Sequence, residues 1–182
     1  GRSALQSNTT GNYNTASGNN ALKANTTASN NTAVGYETLY TNTTGTQNTG
    51  VGYSALYYNT TGIRNAAFGN NTLENNSTGN YNTASGVYAL KLNTTGTYNI
   101  ADGYAALRSN TSGHRNTATG GYALYTNTTG TDNTSSGYNN LAYNTTGQHN
   151  SAFGAQALKL NTTASYNTAV GGCALYANTT GT

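Results

Sequence analysis

Residues 25–41 read NTTASNNTAVGYETLYT and residues 42–58 read NTTGTQNTGVGYSALYY. Laid one over the other, they align Asn25 with Asn42, Asn31 with Asn48, Gly35 with Gly52 and Leu39 with Leu56, each pair 17 residues apart. The same step runs through the whole chain. One Asn column comprises Asn8, Asn25, Asn42, Asn59, Asn76, Asn93, Asn110, Asn127, Asn144, Asn161 and Asn178. Leu5, Leu22, Leu39, Leu56, Leu73, Leu90, Leu107, Leu124, Leu141, Leu158 and Leu175 keep the same spacing. A second Asn column runs from Asn14 to Asn167, and a Gly column from Gly1 to Gly171, without insertion or deletion. The unit is N-T-T-G-x-x-N-T-A-x-G-x-x-A-L-x-x, and a strict repeat organises a fold before any other signal does.

A 17-residue unit is too short for a two-helix repeat, which needs about 33 residues. It is also rich in Asn, Thr and Gly, with no apolar stripe at helical spacing. The pattern predicts an all-β fold, a parallel β-solenoid (β-roll) with one coil per repeat. Two extended segments are expected in each coil, N-T-A-x-G and A-L-x-x, joined by turns. Asn-Thr-Thr-Gly has the residues of a type I turn. The Gly18 column is expected in a backbone conformation closed to other residues. Coils stacked about 4.8 Å apart set each residue above its own copy, turn the Asn columns into amide ladders, and make a rod roughly 50 Å long. Residues 1–182 are expected to form one continuous array, a window of a longer fibre with no capping domain.

Composition narrows the function classes. Only 6% of residues are charged, there is no Pro, Met or Trp, and Tyr outnumbers Phe 16 to 2. Such polarity ordinarily implies disorder, but a strict period and many tyrosines imply repetition instead. The net charge of +3 is small and the basic residues are scattered, so no stripe tracks a nucleic-acid backbone. No apolar run approaches the ~20 residues of a membrane span, and no signal peptide stands at the start. The single Cys173 gives neither a disulfide framework nor a multi-cysteine zinc site.

The repeats also separate inside from outside. The columns of Leu22, Ala16, Ala21, Asn8, Asn14 and Gly18 hardly change and are expected to be interior. All 11 Asp, Glu, Lys and Arg residues and all 16 tyrosines fall in variable columns expected to face solvent or a partner. One Leu and a few small residues per coil make a thin core against a chain-entropy cost of about 1–2 kcal/mol per residue. Two resolutions follow: association along a shared axis, as a homotrimer, or a single-chain flattened solenoid held by Asn ladders.

Asn31-Thr-Ala-Val-Gly35 and Asn167-Thr-Ala-Val-Gly171 resemble the head repeats of trimeric autotransporter adhesins. The full unit is still more similar to the arrays of phage and environmental tail-fibre proteins, and the resemblance covers essentially the whole chain. It implies a left-handed parallel β-roll of three chains and a role in surface attachment. The adhesin-head coil is shorter than 17 residues, and no stalk, neck or chaperone segment lies in this sequence.

Several chemistries could reside on such a rod. Every member of the Asn8 column begins an N-x-[ST] sequon, so all 11 are candidate N-glycosylation sites, as are Asn30, Asn70, Asn75 and Asn133 off the column. The competing reading is a turn that needs no glycan. Candidate surface-binding residues are Tyr36, Tyr53, Tyr104 and Tyr138 in one column and Tyr40, Tyr57, Tyr125 and Tyr176 in another. Exposed rings can stack on sugar faces, or simply on one another to stabilise the rod. Ice binding is disfavoured, because Thr9 and Thr10 are adjacent and no T-x-T face repeats. His114 and His149 have no repeating acidic partner, and Glu37, Glu74, Asp102 and Asp132 are scattered. No catalytic residue, metal site or cofactor is therefore expected, covalent glycans aside. The sequence points to a structural fibre segment, extracellular or on a virion, that associates with copies of itself, or alternatively to an adhesive module touching host glycans through its tyrosines.

Overall fold

The computed structural model describes residues 1–181. It contains ten three-residue strands, from β1 (Thr15–Ser17) to β10 (Thr168–Val170), all parallel and in sequence order within one sheet. Thr15 pairs with Thr32, Ala16 with Ala33 and Ser17 with Val34. The register is therefore the repeat itself, and one repeat is one coil of a β-solenoid. Strand alternation sends the middle residue inward: Ala33, Ala67, Ala84, Ala118 and Ala152 are fully buried. The flanking columns face out, leaving Val34, Phe68, Ile100, Phe153 and Val170 exposed.

The expected second extended segment is not a strand. Residues of A-L-x-x form turns, and each Leu of the column has positive φ, 51° at Leu22 and 49° at Leu107. So do the residue two before it, such as Asn20 (φ 60°), and the Tyr13 column (φ 57°). The segment is nonetheless bonded between coils, with the Leu22 N–H donating to the Thr38 carbonyl (3.0 Å) and the Ala24 N–H to that of Tyr40 (3.1 Å). A corner of alternating hand turns every Leu side chain into the axis, where Leu22 through Leu158 are fully buried. Burial of roughly 1.5–3 kcal/mol per Leu works against the roughly 1–2 kcal/mol that each of the corner's two left-handed residues costs.

The Gly18 column behaves as expected, with φ between 116° and 143°. A Cβ at Gly35 would run into the carbonyl of Gly52 in the next coil. From Leu22 to Leu158 the Leu column is closed within the chain's own coils.

Candidate functional site

The interior carries two ladders built from amides. In the first, each Asn Nδ2 from Asn25 to Asn161 donates both its protons: Asn25 to Asn8 Oδ1 (2.7 Å) and to the Ala28 carbonyl (3.0 Å), Asn93 to Asn76 Oδ1 (2.7 Å) and to the Gly96 carbonyl (3.1 Å). In the second, Asn31 Oδ1 accepts from the Asn48 backbone N–H (2.9 Å), while Asn31 Nδ2 donates to the Gly45 carbonyl (2.9 Å). That same Gly45 carbonyl accepts from Asn42 (2.9 Å), so the two ladders meet there. Buried amides cost little only when every donor and acceptor is matched; stacking identical Asn residues achieves this along the column up to its last coils, where the buried Asn161 Oδ1 has no partner among the described residues.

This geometry bears directly on the sequons. From Asn25 to Asn161 the column is fully buried. A glycan bond to Nδ2 would remove a donated proton and drive a sugar into the stack. In the folded coil, from Asn25 to Asn161, this column therefore presents no exposed amide to a glycan. Asn8 and Asn178, in the terminal coils, are only part-buried. Off the column, Asn133 is buried as well, whereas Asn30 and Asn70 are exposed.

The two threonines of Asn-Thr-Thr have different fates. Column-9 hydroxyls donate to the carbonyl of the same position one coil on: Thr43 to Thr60 (3.2 Å), Thr60 to Ser77 (3.0 Å), Thr94 to Thr111 (3.0 Å) and Thr128 to Thr145 (3.0 Å). Column-10 threonines such as Thr27, Thr44 and Thr129 point to solvent. The hydroxyl ladder was not foreseen, because two identical neighbours give no sign of which one turns inward. Where the Ala21 column carries Thr38, Thr72 or Asn140, the side chain donates to the carbonyl of Gly52, Gly86 or Gly154 (2.6–2.7 Å). The Thr38 methyl fills the space that a Cβ at Gly50 would need.

Of the candidate surface tyrosines, Tyr36, Tyr53, Tyr104 and Tyr138 are exposed and Tyr40, Tyr57, Tyr125 and Tyr176 are half-buried. Tyr36 stacks on Tyr53 (ring centroids 5.3 Å apart) and Tyr40 on Tyr57 (5.0 Å). The expected strip is broken beyond Tyr53, where Asn70 and Val87 follow in the column. The second column sets cations beside rings: Lys23 lies 5.4 Å from the Tyr40 centroid, Arg108 5.6 Å from Tyr125 and Lys159 5.5 Å from Tyr176. A third ladder, in the Tyr13 column, escaped sequence reading. It stacks Tyr81 on Tyr98 (4.8 Å) and His149 on Tyr166 (4.9 Å), and joins Arg115 to both oxygens of Asp132 (2.6 and 2.8 Å). Its signal was the recurrence of aromatic or charged residues at one position of the period.

The hydrogen bonds from Arg115 hold the Asp132 carboxyl below its ordinary range. Burial raises the phenols of Tyr57 and Tyr122, and a hydrogen bond with Glu37 raises that of Tyr36. Glu74 pairs with Lys91 one coil away (3.2 Å), and Cys173 is exposed. Among the described residues no three His, Cys, Asp or Glu side chains come together, and no helix is long and apolar enough to cross a membrane.

No protein-family profile, curated protein or solved structure matches the chain.

Proposed function

We propose that this chain is a rigid shaft segment of a fibre, displayed outside the cell or on a virion. The observation that carries the reading is the unbroken 17-residue register: each strand pairs only with the strand before and after it in the chain. The polar interior is occupied by amide ladders beside the apolar Leu and Ala columns. Such an object transmits length and stiffness, since local motion would have to break stacked bonds. The left-handed coil and the trimer implied by the adhesin resemblance belong to this proposal. Three chains would meet on the outer face of the sheet, where Val34, Phe68, Ile100 and Phe153 stand exposed. Glycans, if the chain passes through a secretory pathway, would sit at Asn30 and Asn70 rather than on the buried column.

Small-angle scattering and native mass spectrometry test the reading together. A rod about 50 Å long, at three times the 18.7 kDa chain mass, supports the trimeric shaft. A rod at the single-chain mass removes the trimer and keeps the shaft, and a compact or expanded particle removes both. The second reading, attachment through the tyrosine columns, is favoured by the outward rings of Tyr36, Tyr53 and Tyr104. Under it, Tyr36→Ala with Tyr53→Ala weakens attachment to glycan-coated surfaces; under the spacer reading attachment does not change.

A further inference from the structure

Around Tyr138 three positions that carry large side chains in other coils are small. Gly121 and Ala155 flank Tyr138 in its column, where other coils have Tyr36, Tyr53 and Tyr104. Ala142 occupies the column of Tyr40, Tyr57, Arg108 and Lys159. The result is a groove of about 350 Å³ lined by Tyr122, Tyr125, Tyr138, Asn139, Ala142 and Tyr143.

The rings here are arranged unlike those of the ladders. Tyr36 and Tyr53, or Tyr81 and Tyr98, lie within 9° and 3° of parallel, so each covers a face of the other. In the groove Tyr122 meets Tyr138 at 85° and Tyr125 at 67°. It meets Tyr138 edge to face, and Tyr138 has no parallel ring partner. Tyr138 is 55% exposed and Tyr143 48%. The lining contains no charged residue.

We infer that this groove binds a neutral sugar. A pyranose has an apolar C–H face and a rim of hydroxyls. The open face of Tyr138 suits the first, and the Tyr hydroxyls with the Asn139 amide suit the second. No lining residue is ionised, and Arg108 beside the groove is already engaged with the Tyr125 hydroxyl (3.4 Å) and ring, so the lining itself favours a neutral ligand. The volume stands at the small end of the roughly 300–1,000 Å³ of ligand sites, which fits one or two sugar rings. The inference rests on the attachment reading above and narrows it from two columns to one groove.

The test is saturation-transfer NMR and titration calorimetry of the intact chain with cellotriose, maltotriose and triacetylchitotriose. At least one should bind with millimolar or tighter affinity, the range of roughly 4 kcal/mol of binding energy. Tyr138→Ala should weaken it by about tenfold or more. Gly121→Tyr restores the column's ring, and a Cβ at Gly121 makes only an ordinary 3.5 Å contact with Tyr138. It should therefore fold and abolish binding by closing the groove. Tyr98→Ala, in the ladder of the Tyr13 column and outside the groove lining, should leave binding unchanged. Binding that survives Tyr138→Ala and Gly121→Tyr but falls with Tyr53→Ala overturns the groove and keeps the attachment reading. No saturation transfer from any of the three sugars overturns the groove, and attachment by the Tyr36 and Tyr53 variants then decides the wider reading separately.

Discussion

Leu107 and Asn110 lie three residues apart on one coil, and both are wholly hidden from solvent. Leu107 is buried because its surface is apolar, and its neighbours Ala106 and Ala123 offer only contact. Asn110 is buried because its amide finds its own copies above and below: it donates to Asn93 Oδ1 and accepts from Asn127 Nδ2, both at 2.8 Å. The comparison shows that a coil this narrow can be closed by half an apolar wall, provided the other half consists of one self-complementary group repeated in register. It also explains how a chain with 34% hydrophobic residues encloses a dry interior.

The contrast breaks most severely with Asn93→Asp. The shape is kept, but a carboxylate loses both donors and faces the Asn76 Oδ1 and Gly96 carbonyl acceptors. A buried unpaired charge costs about 3–5 kcal/mol, so urea unfolding should shift by that amount. Because protonation removes the charge, the deficit should shrink on acidification. Next comes Leu107→Ala, expected to lose about 2–5 kcal/mol in the same assay. Asn93→Leu sharpens the comparison, since it extends the apolar wall into the polar one. It leaves the Asn76 Oδ1 and one Asn110 proton unmatched, at about 1–3 kcal/mol each. A loss below about 0.5 kcal/mol would mean that the amide wall is no more than filler.

The polar wall contains only Asn, Thr and Ser, none of which titrates. The pH response should therefore come from the outer ladders. Tyr36, Tyr57 and Tyr122 have phenols raised above 10.0 in the fold. Their contribution is complete below that value and lost as pH rises through the higher folded values. Asp132 contributes above the ordinary carboxylate range, and that contribution fades as pH falls through its depressed value. Melting temperature should be flat from roughly pH 5 to 9 and decline mainly on the alkaline side. The smallest expected effect is a gain. Gln156 holds φ at 62°, and Gln156→Gly should stabilise by up to about 1 kcal/mol in thermal melts.

The repeats made much of this legible. Eleven copies act as their own alignment, so the period, the parallel register, the Leu and Asn interior and the strained Gly18 column could all be read from residues alone. The Leu corner was less accessible. Alternating handed turns leave no compositional mark, because Leu at φ near 50° looks in sequence like Leu on a strand. The sequon was ambiguous for a related reason. Asn-Thr-Thr is written identically whether Asn25 offers its amide to an oligosaccharide or to Asn8 and Ala28, and only burial separates the two. The groove beside Tyr138 was hidden because it is made by what Gly121, Ala142 and Ala155 lack.

The ladders have direction. Amide bonds of the first Asn column run from each coil back to the one before, as from Asn42 to Asn25, and so do backbone bonds such as Gly35 to Ser17. The hydroxyl bonds and the backbone bonds of the Leu corner run forward, as from Thr43 to Thr60 and Leu22 to Thr38. An α-helix aligns all its peptide dipoles and accumulates partial charge at its tips. Here opposing rows offset one another, so adding coils adds little axial field. A solenoid of this kind can lengthen without needing more charged side chains to neutralise its ends.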